Sequence, residues 1–162
     1  MNDSALIEEC RALALRAYAP YSRFHVAAVA RTATGKIYCG VNMENASYGI
    51  TMCAEVGALM AATAAGELVN ITSIYVAGGT VNGQNRLTGK DVVTPCGRCR
   101  QLIYESACLS GRDIAVICAS GDGTQVRRSS IRKLLPHGFG PQTLGEDGSD
   151  ARVRLAETQI RG

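Results

Sequence analysis

The sequence contains no tryptophan, only two phenylalanines and only four prolines among 162 residues. It also lacks an apolar run of about 18 residues, the length at which a membrane-spanning helix is expected, so we predict no membrane partner. The net positive charge is small as well, because 17 basic and 14 acidic residues leave a net charge of +3. No basic cluster is interleaved with aromatic residues, which argues against a nucleic-acid partner.

Composition and cysteine content indicate an ordinary globular protein. Apolar residues make up 46% and charged residues 19% of the chain, which are normal values for a folded domain. The start, Met1-Asn2-Asp3, does not resemble a signal peptide. Seven cysteines are an odd number, and three of them have the spacing of metal ligands. We therefore predict reduced thiols and a cytoplasmic protein.

Three cysteines and one glutamate are candidates for a catalytic metal centre. Cys53 and Glu55 belong to a Cys-Ala-Glu segment, and Cys96 and Cys99 to a Pro-Cys-Gly-Arg-Cys segment. Three protein ligands leave the fourth position of a tetrahedral zinc ion open for water, whose pKa falls to about 7. Glu55 is close enough in sequence to move protons without binding the metal. The pattern predicts zinc-dependent hydrolytic chemistry.

Both cysteine segments precede helix-forming stretches. If Cys53 begins one helix and Cys96 and Cys99 lie in the first turn of another, two helix N-termini stabilise the thiolates. A structural zinc knot or a redox pair is the alternative, since Cys-x-x-Cys serves both. A knot needs a fourth ligand nearby. The other cysteines considered lie in apolar runs that favour buried hydrophobic roles: Cys39, Cys108 and Cys118.

Five ordered motifs carry a resemblance to a known family. Three cysteine ligands with a non-ligand glutamate are a described signature of zinc deaminases. The motifs are Tyr21-Ser22-Arg23-Phe24, Gly40-Val41-Asn42-Met43-Glu44-Asn45-Ala46-Ser47-Tyr48, Cys53-Ala54-Glu55, Thr94-Pro95-Cys96-Gly97-Arg98-Cys99-Arg100-Gln101, and Leu134-Leu135-Pro136 followed by Phe139-Gly140-Pro141. With these motifs, the chain from about residue 15 to about residue 144 resembles the small, homotetrameric cytidine deaminases of the cytidine/deoxycytidylate deaminase-like superfamily.

The resemblance implies a fold and a reaction. The fold is α/β, a three-layer α/β/α sandwich with a mixed five-stranded sheet, and the alternation of strand-like and helical segments agrees with it. The reaction is the hydrolytic deamination of cytidine and 2′-deoxycytidine to uridine and 2′-deoxyuridine plus ammonia, in pyrimidine salvage. One Zn²⁺ per subunit would be held by Cys53, Cys96 and Cys99, with Glu55 transferring the protons.

No internal repeat or linker divides the chain. We predict a single catalytic domain over residues 1–144 and a polar, glycine-rich extension over residues 145–162. The first helix is predicted near Ser4–Tyr18 with Ser4 as its N-cap. A long loop rich in glycine and asparagine is predicted after the buried strand that ends at Ala77.

Five positions match substrate-binding residues of the family. Asn42 and Glu44 match residues that hold the ribose 3′-hydroxyl, and strand alternation would place both on one face. Phe24 is a candidate platform for base stacking. The Ala54 backbone N–H and the carbonyl near Thr94 would bind the pyrimidine edge. The simpler alternatives are a turn-forming asparagine with a surface glutamate, and ordinary core packing for the phenylalanine.

Three further positions match residues at subunit boundaries. Phe139 matches an aromatic residue that reaches into a neighbouring subunit's site. Ala46 and Tyr48 match positions near the boundary that subunits share. The resemblance therefore implies a homotetramer with composite active sites that acts on a small nucleoside.

The chain departs from the family pattern in two places. Val56 stands where many cytidine deaminases of this size carry an arginine that offsets the charge of the thiolates. The stretch Gly78–Val93 is longer than in short relatives and affects the rim of the site. Because three thiolates on Zn²⁺ leave a charge of −1, we hypothesise that Arg98 hydrogen-bonds a ligand sulfur. Alternatively, Arg98 points outward into solvent.

Two rival functions are compatible with the zinc motif. A blasticidin S-type deaminase shares the three cysteines and an aliphatic residue after the glutamate, and a modified-cytosine nucleoside deaminase is a further alternative. The blasticidin S-type enzymes lack the complete Asn-x-Glu-Asn-Ala-Ser-Tyr stretch, which favours cytidine here. A non-catalytic zinc-binding module would tolerate Glu55→Ala and would have a closed fourth zinc position.

Overall fold

Helices and strands alternate along residues 1–146, the part of the chain that the computed structural model describes. The helices are α1 (Asp3–Ala14), α2 (Ala54–Ala64), α3 (Gly97–Ser110) and α4 (Ile131–Leu134). The strands are β1 (Phe24–Thr32), β2 (Ile37–Val41), β3 (Ile71–Val81), β4 (Leu87–Thr88), β5 (Ala115–Ser120) and β6 (Val126–Ser130). None of the helices in this part is long and apolar enough to cross a membrane. The predicted extension lies outside the described residues from position 147 onward.

The strands form one mixed sheet in the order β2-β1-β3-β5-β6, and β4 pairs with the end of β3. Strands β3 and β5 are parallel and are connected through α3, whereas the other neighbouring pairs are antiparallel. A parallel pair requires such a crossover connection. The prediction of five strands is correct for the main path and wrong for the whole sheet, which has six strands in the described residues.

The sixth strand arises in the segment that was expected to be a loop. The side-chain Oδ1 of Asn82 accepts the backbone N–H groups of Gln84 and Arg86 at 3.0 and 3.1 Å, which is how asparagine folds a chain back on itself. Val81 then pairs with Leu87. Residues 78–88 therefore form a hairpin that extends β3 beyond Ala77.

Helices cover both faces of the sheet. On one face, Leu6 and Cys10 of α1 pack against Tyr75 of β3 in a buried cluster. On the other face, Leu59 of α2 and Ile103 of α3 belong to a second buried cluster. Burying side chains of this size contributes roughly 1.5–3 kcal/mol each. The predicted three-layer α/β/α arrangement is confirmed.

Helix α1 begins and ends earlier than predicted. Its N-cap is Asn2 and not Ser4, because the Asn2 side chain accepts the Ala5 N–H at 2.9 Å. The helix does not reach Tyr18, because the backbone of that residue pairs with the segment after β2. The Tyr18 N–H donates to the Asn42 carbonyl at 3.1 Å, and the Tyr18 carbonyl accepts the Glu44 N–H at 2.8 Å.

Glycine sets the distance between β2 and α2. A Cβ atom on Gly40 would lie 2.3 Å from both the Ala54 carbonyl oxygen and the Ala58 nitrogen, so no side chain fits there. From the helix, Gly57 faces Gly40 across the same contact, since its own Cβ would lie 3.2 Å from the Gly40 Cα. The N-terminus of α2 therefore lies directly against β2.

Candidate functional site

Three sulfur atoms meet between the N-termini of α2 and α3. Cys53 is the N-cap residue of α2, Cys96 is the N-cap residue of α3, and Cys99 lies in the first turn of α3. The three sulfurs all lie within 4.8 Å of one another, and Cys53 Sγ is 3.9 Å from Cys96 Sγ. Tetrahedral zinc with Zn–S bonds of ~2.3 Å separates sulfurs by about 3.8 Å. The donor set and its spacing fit zinc.

The three thiols differ in exposure and in pKa. Cys99 is buried, Cys53 is half-buried and Cys96 is exposed. Burial raises the pKa of Cys99 and of Cys53. Burial also opposes ionisation of Cys96, but hydrogen bonds from the Cys99 backbone N–H and from the neighbouring thiols outweigh it and lower the Cys96 pKa. Bound zinc would favour the thiolate form of all three.

Glu55 lies beside the sulfurs in the first turn of α2. Only 4% of the residue is exposed, and burial raises the pKa of its carboxyl, although its own backbone N–H and the Cys99 thiol partly offset this effect. Its oxygens do not belong to the group of mutually close ligand atoms that the three cysteines form. A buried carboxyl with a raised pKa is suited to accepting and returning a proton near neutral pH.

The remaining cysteines lie away from this group. Cys10, Cys108 and Cys118 are buried, and Cys39 is half-buried. None of them joins the sulfur cluster in the described part of the chain. The expected buried hydrophobic role is confirmed for Cys108 and Cys118, whereas Cys39 is only partly buried.

A cavity of about 210 Å³ opens beside the sulfurs. It is smaller than the roughly 300–1,000 Å³ pockets that take drug-sized ligands, so it suits a single ring. Its lining comprises Val26, Asn42, Thr51, Met52, Cys53, Ala54, Glu55, Val93, Thr94 and Cys96. Sequence reasoning missed Val26, Thr51, Met52 and Val93, for which the only available signal was their position next to the motifs.

A second cavity of about 430 Å³ adjoins the first, because Thr51 lines both. Its other lining residues are Tyr21, Ser22, Glu44 and Tyr48. Glu44 is 8% exposed as a residue, and its carboxylate accepts hydrogen bonds from the Tyr21 N–H at 2.9 Å, the Ser22 N–H at 3.2 Å and the Ser22 hydroxyl. The Ser22 hydroxyl, supported by the two N–H groups and opposed by burial, lowers the pKa of Glu44.

Asn42 and Phe24 occupy different positions relative to these cavities. The Asn42 side chain lines the smaller cavity and also holds β1, because its Nδ2 donates to the Phe24 carbonyl at 2.9 Å and its Oδ1 accepts the Val26 N–H at 2.8 Å. Phe24 is exposed at the start of β1 and does not line either cavity. Phe24 is therefore not a core residue, and the simpler alternative of ordinary core packing is wrong.

All three residues expected at subunit boundaries are exposed. Ala46 lies in the segment after β2, and Tyr48 is 73% and Phe139 57% exposed. The Tyr48 ring makes an edge contact with Tyr21, with 5.6 Å between centroids. Phe139 is tied to α3 through its carbonyl, which accepts from Gln101 Nε2 at 2.6 Å. Its ring does not line either cavity of its own chain.

Arg98 turns toward the segment that precedes Cys53. Its Nη2 lies 3.3 Å from the Met52 Sδ, so its sulfur partner is a methionine and not the ligand cysteine that we hypothesised. The side chain leaves the first turn of α3 and crosses to the start of α2, bridging the two ligand segments. Val56 is buried and supplies no charge.

Comparison with known proteins identifies a family with a zinc-binding region. Residues 1–110 match the model of the cytidine and deoxycytidylate deaminase zinc-binding region. A probable cytidine deaminase of Dictyostelium discoideum is 39% identical over 129 residues, 79% of this chain and 77% of the relative. The cytidine deaminase of Halalkalibacterium halodurans is 34% identical over 146 residues, 90% of this chain and 100% of the relative. The crystal structure of cytidine deaminase from Burkholderia pseudomallei has a TM-score of 0.74 and 39% identity, with 86% of this chain and 100% of that chain covered. The chain belongs to the family of zinc-binding cytidine and deoxycytidylate deaminases.

Proposed function

We propose that this protein catalyses the hydrolytic deamination of cytidine and 2′-deoxycytidine to uridine and 2′-deoxyuridine, with release of ammonia. The observation that carries the proposal is a buried glutamate, Glu55, beside three sulfurs spaced for zinc at the wall of a cavity that fits one ring. The relatives named above are cytidine deaminases, which supports this substrate class.

Glu55 performs the proton transfers in the proposed mechanism. Zinc, when bound by Cys53, Cys96 and Cys99, lowers the pKa of water to about 7 and so supplies hydroxide near neutral pH. Glu55 takes one proton from the attacking water and delivers it to N3 of the ring. It then takes the proton of the new hydroxyl on C4 and delivers it to the amino group, so that C4 becomes a carbonyl as ammonia leaves. Water and cytidine thus give uridine and ammonia. Each assisted transfer contributes typically about 10²–10⁴-fold.

The smaller cavity holds the pyrimidine in this proposal. Ala54 is the first residue of α2, where backbone N–H groups have no partner within the helix, so it can donate to the carbonyl at C2. The carbonyl near Thr94 accepts from the amino group. Val26 and Val93 supply apolar walls, and Phe24 at the start of β1 is the proposed stacking platform at the rim.

The larger cavity holds the sugar. Glu44 lines it as an ionised acceptor for the 3′-hydroxyl, and Asn42 stands next to it on the wall of the smaller cavity. Because Thr51 lines both cavities, a base in one and a sugar in the other can belong to one nucleoside.

We further propose a homotetramer with composite sites. Tyr48, Ile50 and Phe139 are large side chains that the single chain leaves exposed, and contact with another subunit would remove their apolar surface from water. Phe139, which does not line its own chain's cavities, would close the site of a neighbouring subunit. Ala46 and Tyr48 would lie at the same boundary.

The setting of the enzyme is inferred from the cysteines. All seven cysteines are free, as is usual in a reducing compartment, so we propose a cytoplasmic enzyme of pyrimidine salvage. We propose that residues 1–144 form its single catalytic domain.

Zinc analysis combined with an ultraviolet assay on cytidine tests the proposed function. We expect one zinc per chain, conversion of cytidine and 2′-deoxycytidine, and no conversion by Glu55→Gln. Glu9→Gln is the matched control, because Glu9 is an exposed glutamate on α1. Zinc-loaded protein that converts neither nucleoside would refute the proposal. Turnover of blasticidin S without turnover of cytidine would select the alternative deaminase.

A further inference from the structure

The hydroxyl of Ser22 connects two parts of the site. It donates to Oε1 of Glu44 and accepts the backbone N–H of Phe24 at 3.0 Å. The Ser22 backbone N–H also donates to Oε2 of Glu44, at 3.2 Å. One side chain thus ties the start of β1 to the carboxylate in the larger cavity.

The loop before β1 has an unusual backbone that makes this connection possible. Arg23 has a φ of 57°, which is uncommon for a residue with a Cβ and persists only where surrounding contacts hold it. The Arg23 N–H donates to the Ala19 carbonyl at 3.0 Å. The Tyr21 N–H donates to Glu44 Oε2 at 2.9 Å. The turn at Arg23 brings the Ser22 hydroxyl between Phe24 and Glu44.

Within residues 1–146, the hydrogen bonds to Glu44 leave one acceptor site of its carboxylate free. An ionised carboxylate has two oxygens with about four lone-pair sites. The Tyr21 and Ser22 N–H groups both bind Oε2, and the Ser22 hydroxyl binds Oε1. The remaining site is therefore on Oε1, the oxygen whose other bond comes from Ser22.

We propose that Ser22 is a positioning residue for nucleoside recognition. By holding Oε1 of Glu44, its hydroxyl aims the remaining lone pair into the larger cavity, where it accepts the 3′-hydroxyl of the sugar. This inference rests on the proposed function and adds a residue that determines selectivity for sugars with a 3′-hydroxyl.

The test compares Ser22→Ala, Ser22→Thr and Ser4→Ala on cytidine, 2′-deoxycytidine and 2′,3′-dideoxycytidine. Ser4 is exposed on α1 and serves as the matched control. For Ser22→Ala we expect KM to rise about tenfold for the two substrates with a 3′-hydroxyl, the order expected for one lost hydrogen bond to a charged group. We expect less than about a twofold change for the dideoxy substrate, an unchanged kcat and unchanged zinc content. Ser22→Thr keeps the hydroxyl and should retain the wild-type KM.

Three outcomes would overturn the inference. Equal losses on all three substrates would make Ser22 a structural loop residue, and no change in KM would mean that the backbone N–H groups alone orient Glu44. Wild-type enzyme that does not distinguish cytidine from the dideoxy substrate would remove the sugar contact on which Ser22 acts. In each case deamination itself continues, whereas failure of the proposed function would appear as wild-type protein that deaminates none of the three.

Discussion

The two halves of the site are built in opposite ways. The metal corner, which we define as Cys53, Glu55, Cys96 and Cys99, stands on the first turns of two helices. One of these helices is held against β2 by the contact at Gly40, which leaves no space for a side chain. Helix termini on a packed sheet hold side chains in fixed positions, as a metal site with defined geometry requires.

The sugar side, defined as residues 21–24, Glu44 and Tyr48, is built from loops. Its carboxylate is oriented by hydrogen bonds from the loop before β1, and its aromatic residues are largely exposed. Loops on a rigid scaffold commonly carry recognition. The comparison indicates that the three cysteines and Glu55 meet within one chain, whereas the recognition half presents exposed aromatic residues.

Removing the proton-transfer group of the metal corner while keeping its three cysteine ligands should have the largest effect on turnover. We expect Glu55→Ala to retain zinc and fold but to lower cytidine turnover by more than about 10³-fold, because one general acid/base contributes typically about 10²–10⁴-fold and Glu55 serves several transfers. Metal analysis and the ultraviolet assay measure the two quantities on the same sample. Turnover within tenfold of the wild type would contradict the proton-transfer role.

Breaking the sugar side should cost less and should leave the metal corner intact. Glu44→Ala removes the proposed acceptor and leaves the Tyr21 and Ser22 donors unpaired. Such a loss costs about 1–3 kcal/mol, which corresponds to roughly a ten- to a hundredfold fall in kcat/KM. Zinc content should not change, and Glu9→Ala is the control. Normal handling of cytidine by Glu44→Ala would show that the sugar is bound elsewhere and would favour the blasticidin-type alternative.

The proposed contribution of Phe139 to the site of a neighbouring subunit can be tested by mixing subunits. Phe139→Ala should lower kcat/KM by about tenfold, the scale of one lost aromatic side-chain contact. Cys96→Ala lacks a ligand and should be inactive by itself. If subunits exchange, mixing the two variants should restore part of the activity, because some sites then combine an intact metal corner with an intact Phe139. A fully active monomer in dilute solution would refute composite sites.

The difference between the metal corner and the sugar side also explains which parts of the site the sequence could predict. The metal corner depends on short spacings, Cys53 to Glu55 and Cys96 to Cys99, that a helix N-terminus converts directly into geometry. Those positions were predicted correctly at the N-termini of α2 and α3. The three-layer architecture also followed from the alternation of strands and helices.

The features that the sequence did not predict depend on contacts that no local pattern signals. Ser22 meets Glu44 only because the Tyr18 backbone pairs with the segment after β2, and no local pattern signals that pairing. It also ends α1 before Tyr18, against the helical periodicity. Strand β4 was missed because two residues are too few for a strand pattern, and its position depends on the turn at Asn82.

The smallest effect is expected at Arg98, which joins the two ligand segments of the metal corner. Three thiolates on Zn²⁺ carry a net charge of −1, and Arg98 places a guanidinium on Met52, next to Cys53. Since Arg98 is exposed, the charge should stabilise bound zinc by no more than an exposed ion pair does, about 0.2–1 kcal/mol. That range corresponds to a change in zinc affinity of up to roughly fivefold.

Zinc retention against a chelator, measured for Arg98→Gln, Arg98→Lys and Met52→Leu, separates the effect of the Arg98 charge from the effect of its contact with Met52. If charge matters, Arg98→Gln loses zinc up to about fivefold more readily, Arg98→Lys does not, and the difference shrinks as salt is raised, because exposed charges are screened. If the bridge between the segments matters, Arg98→Lys and Met52→Leu both resemble Arg98→Gln and salt has no effect, since a lysine lacks the planar donor. Identical zinc retention in all three variants and the wild type would make Arg98 a surface residue. The charge of the thiolates would then be offset by the backbone N–H groups of the two helix N-termini alone.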